Sequence, residues 1–242
     1  MECQRHYLMG RLRYTSTSPE MQSPYTMQSP YTEDYFLRGA SLGLSNYTDY
    51  RWLEERTMAH ARRLIEVLGI EKNDTVLDWG CARGYTVKAL RRLGINAWGY
   101  DTSEWAVQNC DPEIKEFVHQ KFPVTMGDPS QFDHVLVKDV AEHLEPVELI
   151  QMAHCLLDAT ARISIFIMVP LTERVGGQYV RKEDDMDVTH KIRWPLEDWM
   201  DFFRRRIPGE SWVLTGSWHV PGLKPTSLSH PKSCGFIVLA KA

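Results

Sequence analysis

From residue 50 to about 200, short apolar runs alternate with longer stretches in which apolar positions recur at helical spacing. Leu53, Ala61, Leu64, Ile65 and Leu68 fall on one stripe, and Gly69 stands where a left-handed residue ends a helix, so 50–69 is expected to be a helix docked on a sheet. Strand-like runs follow at 75–79 (TVLDW), 96–101 (NAWGYD), 132–139 (FDHVLVKD) and 163–170 (ISIFIMVP). Between them lie the amphipathic stretches YTVKALRRLG, SEWAVQNC and PVELIQMAHCLLDA. Strands that are apolar on both faces and separated by helices predict a doubly wound, mostly parallel α/β sheet.

The last third changes character. PLEDWMDFFRRR reads as a helix opened by Pro195, while SWVLTGSWHV and CGFIVLAKA read as two strands joined by a Pro-, Gly- and Ser-rich loop. They predict an antiparallel hairpin on one edge of that sheet. At the other end, residues 1–46 are rich in Tyr, Ser, Thr, Pro and Met and repeat MQSPYT at 21–26 and 27–32. They lack the periodicity that buries a helix or strand by itself, so a flexible arm is expected. The aromatics and glycines of YTEDYFLRGASLGLSNYTDYRW favour a lid as the functional alternative. The chain thus divides into an arm or lid, 1–46, and a domain, 47–242.

Composition narrows the partners. The 242 residues are 43 % hydrophobic and 25 % charged, enough for one sizeable core. A net charge of −4 gains little from a phosphate backbone, so nucleic acid is disfavoured as a partner, a local basic groove aside. The five cysteines, at 3, 81, 110, 155 and 234, contain no C-x-x-C pair and fit a reducing cytoplasm better than a disulfide framework or a zinc ribbon. The start has no apolar core of a signal peptide, and the longest apolar run, 163–171, is too short to span a bilayer. No export, membrane insertion or metal cluster is expected from spacing, and none of this fixes an oligomeric state.

The candidate chemistry lies in VLDWGCARGY, 76–85, where a buried strand breaks into a glycine turn. A triphosphate loop needs a Lys after its last glycine, and none follows Gly84. A dinucleotide turn needs glycine at its first, third and sixth positions, which here are Gly80, Ala82 and Tyr85. The remaining spacing, Asp78, Gly80, Ala82, Gly84, resembles the first motif of the class I S-adenosylmethionine-dependent methyltransferases, with Ala82 where that family usually has glycine. NAWGYDTS, FDHVLVKDVAEHL (132–144) and the closing CGFIVLAKA resemble further stretches of the same family.

The resemblance implies a Rossmann-like fold with a seven-stranded, mostly parallel sheet, and S-adenosylmethionine as cofactor. Asp78 would organise the turn near the methionine part, with Gly80, Cys81, Ala82 and Gly84 supplying backbone. Asp101 would bind the ribose hydroxyls, since two acceptor oxygens match two adjacent donors. Thr102 and Lys138 join that set. Cys81 reads as a buried small hydrophobe lending an N–H, not as a nucleophile. Past the fourth strand, Asp139 would stand beside the methyl group and His143 within reach of an acceptor; alternatively, Glu142 and His143 simply open the next helix. DMDVTHKIRWPLEDW, 185–199, resembles an acceptor-side loop that would bring His190 and Asp187 over the site, unless Asp187 and Thr189 serve only to form a turn. Arg204, Arg205 and Arg206 read as a solvated helix end.

The implied reaction is in-line displacement of the sulfonium methyl by an acceptor O, N or C, with His143 or His190 as base where a proton must leave. The chain has KDVAEHL where enzymes of DNA amino groups carry [D/N]-P-P-[Y/F], and lacks the Pro-Cys pair of cytosine-C5 enzymes. A small-molecule acceptor is therefore expected. The alternatives are nucleic acid, protein, or a binding protein of the same fold without chemistry.

Overall fold

The computed structural model describes residues 29–120, 132–157, 161–207, 211–224, 229–230 and 232–242. The first MQSPYT copy therefore lies outside the described residues. A seven-stranded sheet forms the centre, in the order β3-β2-β1-β4-β5-β7-β6. Its strands are β1 (Thr75–Trp79), β2 (Asn96–Tyr100), β3 (Val118–His119), β4 (Phe132–Lys138), β5 (Ala161–Pro170), β6 (Trp212–Ser217) and β7 (Cys234–Lys241). β3, β2, β1, β4 and β5 pair in parallel, whereas β7 runs antiparallel to both β5 and β6. The expected α/β class and late antiparallel pair are both present, with β7 inserted between β5 and the edge strand β6. The pattern did not reveal β3, whose two residues pair only with Gly99 and Tyr100.

The helices are α1 (Glu33–Leu37), α2 (Gly39–Leu42), α3 (Glu54–Leu68), α4 (Tyr85–Arg92), α5 (Glu104–Gln108), α6 (Pro146–Cys155) and α7 (Leu196–Arg204). α3 starts four residues later than the stripe suggested and ends, as expected, on a left-handed Gly69. Side chains of β4 show why both faces of the sheet must be covered. Val135 and Val137 enter a core with Leu149 and Met152 of α6 and Trp199 and Phe203 of α7. Leu136, pointing the other way, joins Leu64 of α3 and Val87 and Leu90 of α4.

The segment before α3 departs from a featureless arm. Although 29–46 has no periodic stripe, α1 and α2 form there because Tyr35 and Phe36 bury themselves in tertiary contacts. Phe36 stacks on Trp105 at 5.5 Å between centroids, and Tyr47 and Tyr50 complete the cluster. The Ser45 hydroxyl donates to the Tyr35 carbonyl at 2.7 Å and closes the segment on itself. Aromatic burial substitutes here for amphipathic repetition.

Candidate functional site

The site is built at the carboxyl ends of β1, β2 and β4, where an open α/β sheet leaves a crevice. After β1 the chain turns sharply into α4. Gly80 and Gly84 both have left-handed backbones, at φ of 79° and 73°. A Cβ on Gly80 would stand 2.3 Å from Val140 Cγ2, and one on Gly84 2.5 Å from Ile114 Cδ1, so conformation and space both demand glycine. Ala82 is left-handed too, at φ 49°, with its methyl accommodated. Its N–H donates to Asp101 Oδ2 at 2.6 Å, which holds the strained residue in place.

The expected part for Cys81 is corrected in one respect. Its N–H, like that of Gly80, donates to the Tyr100 carbonyl (3.0 and 2.7 Å), so that amide ties the turn to β2 and is not free for a ligand. The thiol packs in the core on the α3–α4 side, and burial pushes its pKa well up, which makes it inert.

Asp101 follows β2 directly. Its Oδ1 accepts the Ser103 N–H at 2.8 Å while Oδ2 takes that of Ala82, and burial pushes the carboxyl up despite both bonds. Each oxygen keeps a further lone pair on the wall of a cavity of about 890 Å³, which Thr102, Gly80 and Ala82 also line. On the neighbouring strands, Lys138 reaches Asp78 Oδ1 at 3.0 Å and donates to the Thr86 hydroxyl at 2.9 Å. The first-turn amides of α4 have no helical acceptor and open beside this pair. A carboxylate suited to a diol, a backbone cradle from which glycine excludes side chains, and an amide-rich helix start together fit S-adenosylmethionine.

The other end of the cavity gathers residues far apart in sequence. Asp139, left-handed at φ 53°, accepts from Lys224 Nζ at 2.8 Å. Burial raises its carboxyl, but Lys224 beside it outweighs this and leaves the group below the ordinary carboxylate range. Glu142 and His143 lie in a 3-10 turn, 141–143, and do not open α6. That helix starts at Pro146 with its own capping box, in which Glu148 accepts the Glu145 N–H at 2.7 Å. Glu142 is fully buried, and burial with Asp139 nearby pushes its carboxyl well above the usual range.

Asp187 and Thr189 form the expected turn and a wall of the site at once. Asp187 Oδ1 accepts the Thr189 N–H at 3.0 Å and its hydroxyl at 2.5 Å. Its Oδ2 accepts the Tyr35 hydroxyl at 2.6 Å, which brings α1 onto the site. His143 Nδ1 stands 2.7 Å from Thr189 Oγ1, and the His190 ring lies 4.6 Å from that of His143. Burial, with His190 next to it, pushes His143 down to about 4; burial likewise lowers His190. Every expected site residue thus borders one cavity except Gly84, which shapes the turn behind it, and Asp78, which lies behind Lys138 and reaches the site through that ion pair. Lys224, Tyr35, Tyr31 and Asp184 also border it and were not expected. An EH pair just past a strand end was the one signal for Glu142, and nothing local in sequence marks Lys224.

This crevice, with its glycine turn and the acid ending β2, defines a Rossmann-like methyltransferase. The family model described as "Methyltransferase domain" matches residues 52–207. The chain belongs to that family and is an S-adenosylmethionine-dependent methyltransferase. Among solved structures, a SAM-dependent methyltransferase from Archaeoglobus fulgidus is similar at a TM-score of 0.55 and 19 % identity, over 78 % of this chain and 94 % of that one. The 1,6-didemethyltoxoflavin-N1-methyltransferase of Burkholderia thailandensis, solved with that compound and S-adenosylhomocysteine, is similar at 0.52 and 17 %, over 78 % and 79 %. The methyltransferase domain of bacterial CtHen1-CN is similar at 0.52 and 14 %, over 76 % and 99 %. A search of curated proteins gives no match. Among the described residues, no helix is long and apolar enough to cross a membrane.

Proposed function

We propose that the enzyme methylates a small molecule held between the cofactor cradle and the loop 181–190. The observation that carries this reading is the acceptor half of the cavity, where Tyr31, Tyr35 and Tyr47 form one wall together with Asp187 and His190. A cavity of about 890 Å³ is in the range of small-molecule sites, with room for a cofactor and a compact acceptor. When bound, S-adenosylmethionine supplies a methyl group on a positive sulfur, which an acceptor lone pair displaces to leave S-adenosylhomocysteine.

Alignment is the task of the chain. Asp101, Ala82 and the start of α4 orient the cofactor end, and Tyr31, Tyr35 and Tyr47 give the acceptor end an aromatic wall. Asp78, neutralised by Lys138, keeps the floor of the cradle in one conformation. Asp139, His143 and His190 face the acceptor, and the two imidazoles, neutral at pH 7, present lone pairs and N–H groups without adding charge. The net charge of −4 supports a small acceptor over nucleic acid, although the fold is shared with part of a chain in the Pnkp1/Rnl/Hen1 RNA repair complex. The test is incorporation of labelled methyl from S-adenosylmethionine in metabolite, RNA and protein fractions of a cell extract. Label confined to the metabolite fraction is expected; label confined to RNA or protein overturns the small-molecule reading.

A further inference from the structure

Glu142, His143 and His190 each offer one ligand atom, and these atoms lie within 4.8 Å of one another. The first two share a turn and the third stands 47 positions after His143, so only the fold unites them. Both Glu142 oxygens and His190 Nδ1 are buried without a hydrogen-bond partner among the described residues. A buried acid with neither oxygen satisfied is costly and calls for a ligand.

We propose that Glu142, His143 and His190 bind one divalent transition-metal ion at the acceptor end of the cavity. The strongest support is the tautomer of His143. Thr189 Oγ1 gives its proton to Asp187 Oδ1, so it must accept at its other side, and His143 Nδ1 carries the N–H that donates to it. His143 Nε2 is then a bare lone pair, 3.9 Å from Glu142 Oε1. His190 Nε2 stands at the same 3.9 Å from that oxygen. Donors on one ion with bonds of ~2.1 Å lie about 3–3.5 Å apart, so closing the set takes movements of under about an ångström. The chain Asp187, Thr189, His143 is the outer support that fixes ring and tautomer in metal sites.

Charge and ligand type agree. Asp139, Glu142, Asp184 and Asp187 border this end, against Lys224 and Arg181, an acidic excess that a dication offsets. Two imidazoles and one carboxylate suit zinc, manganese, iron or cobalt better than calcium or magnesium. With three protein ligands, positions stay open toward the cavity, where an acceptor oxygen can bind and lose its proton more readily. That service to the acceptor rests on the methyl-transfer reading above; binding of the ion does not.

The test therefore uses the metal alone. The purified protein is stripped with a chelator and titrated with Co²⁺ by visible absorption and with Zn²⁺ by ¹⁵N-imidazole NMR, without acceptor. One ion per chain is expected, with histidine-nitrogen shifts at two rings. Glu142→Gln and His190→Ala should each weaken Co²⁺ binding at least tenfold, and Thr189→Val roughly ten- to hundredfold through His143. S-adenosylhomocysteine binding, measured in parallel, reports that each variant is folded. Absence of uptake by the wild type, absence of imidazole shifts, or unchanged affinity in both Glu142→Gln and His190→Ala overturns the proposal. Failure to find a methylated metabolite leaves this result standing, and failure here leaves methyl transfer standing.

Discussion

Asp101→Asn separates a ribose ligand from a mere clasp of the glycine turn. The carboxylate accepts two backbone N–H groups, from Ala82 at 2.6 Å and Ser103 at 2.8 Å. An Asn has one oxygen and one NH₂, so one of those amides must face a donor. The buried, mismatched amide costs about 1–3 kcal/mol of stability. Toward the cofactor, one of two hydroxyl bonds to a charged acceptor is lost, worth about 1.5–3 kcal/mol. At about 1.4 kcal/mol per decade this is a ten- to hundredfold rise in Kd. Calorimetry with S-adenosylhomocysteine measures it, and thermal unfolding without ligand measures the structural part. A variant that loses stability yet binds within about threefold of wild type would refute the ribose assignment and leave Asp101 as a turn clasp.

Other expectations test neighbouring parts. Gly80→Ala places a methyl against Val140 in a left-handed turn, so it should lower Tm, and adding Val140→Ala should recover the steric part while leaving ~1–2 kcal/mol of backbone strain. Burial pushes His60, whose Nδ1 lies 2.7 Å from the Leu223 carbonyl, down to about 4. Its unfolded form binds a proton below about 6.5, so its contribution is full above that pH and falls away toward 4, by up to ~3 kcal/mol. In urea titrations at pH 7.5 and 5, His60→Gln should reduce the loss of stability on acidification; an unchanged loss would refute the assignment. Tyr35→Phe removes the 2.6 Å bond to Asp187, and should raise KM for the acceptor with S-adenosylhomocysteine affinity unchanged; weakened cofactor binding instead would contradict the division of the cavity.

What could be read from sequence was local. TVLDW, a glycine turn and an amphipathic helix carry their own periodicity and dihedral demands, so β1, the turn and α4 followed directly, whereas the part expected of Asp101 came from the family resemblance. The acceptor end was legible only in pieces. Glu142 and His143 read both as a helix opening and as acceptor-side residues, because the partners that decide between the two, Thr189 and His190, are 46 or more positions away in the chain. Lys224 lies 85 positions from Asp139, beyond any spacing rule. α1 and α2 escaped because Tyr35 and Phe36 owe their burial to Tyr47, Tyr50 and Trp105 and to no stripe of their own.

The insertion of β7 between β5 and β6 has a consequence for synthesis. Residues 234–241 supply an interior strand, with seven register pairs to β5 and six to β6. While the polypeptide is still being made, β5 shows an unpaired apolar edge and β6 has no sheet to join, which are templates for pairing with the wrong chain. The nascent protein therefore needs residues 234–241 before the sheet can close.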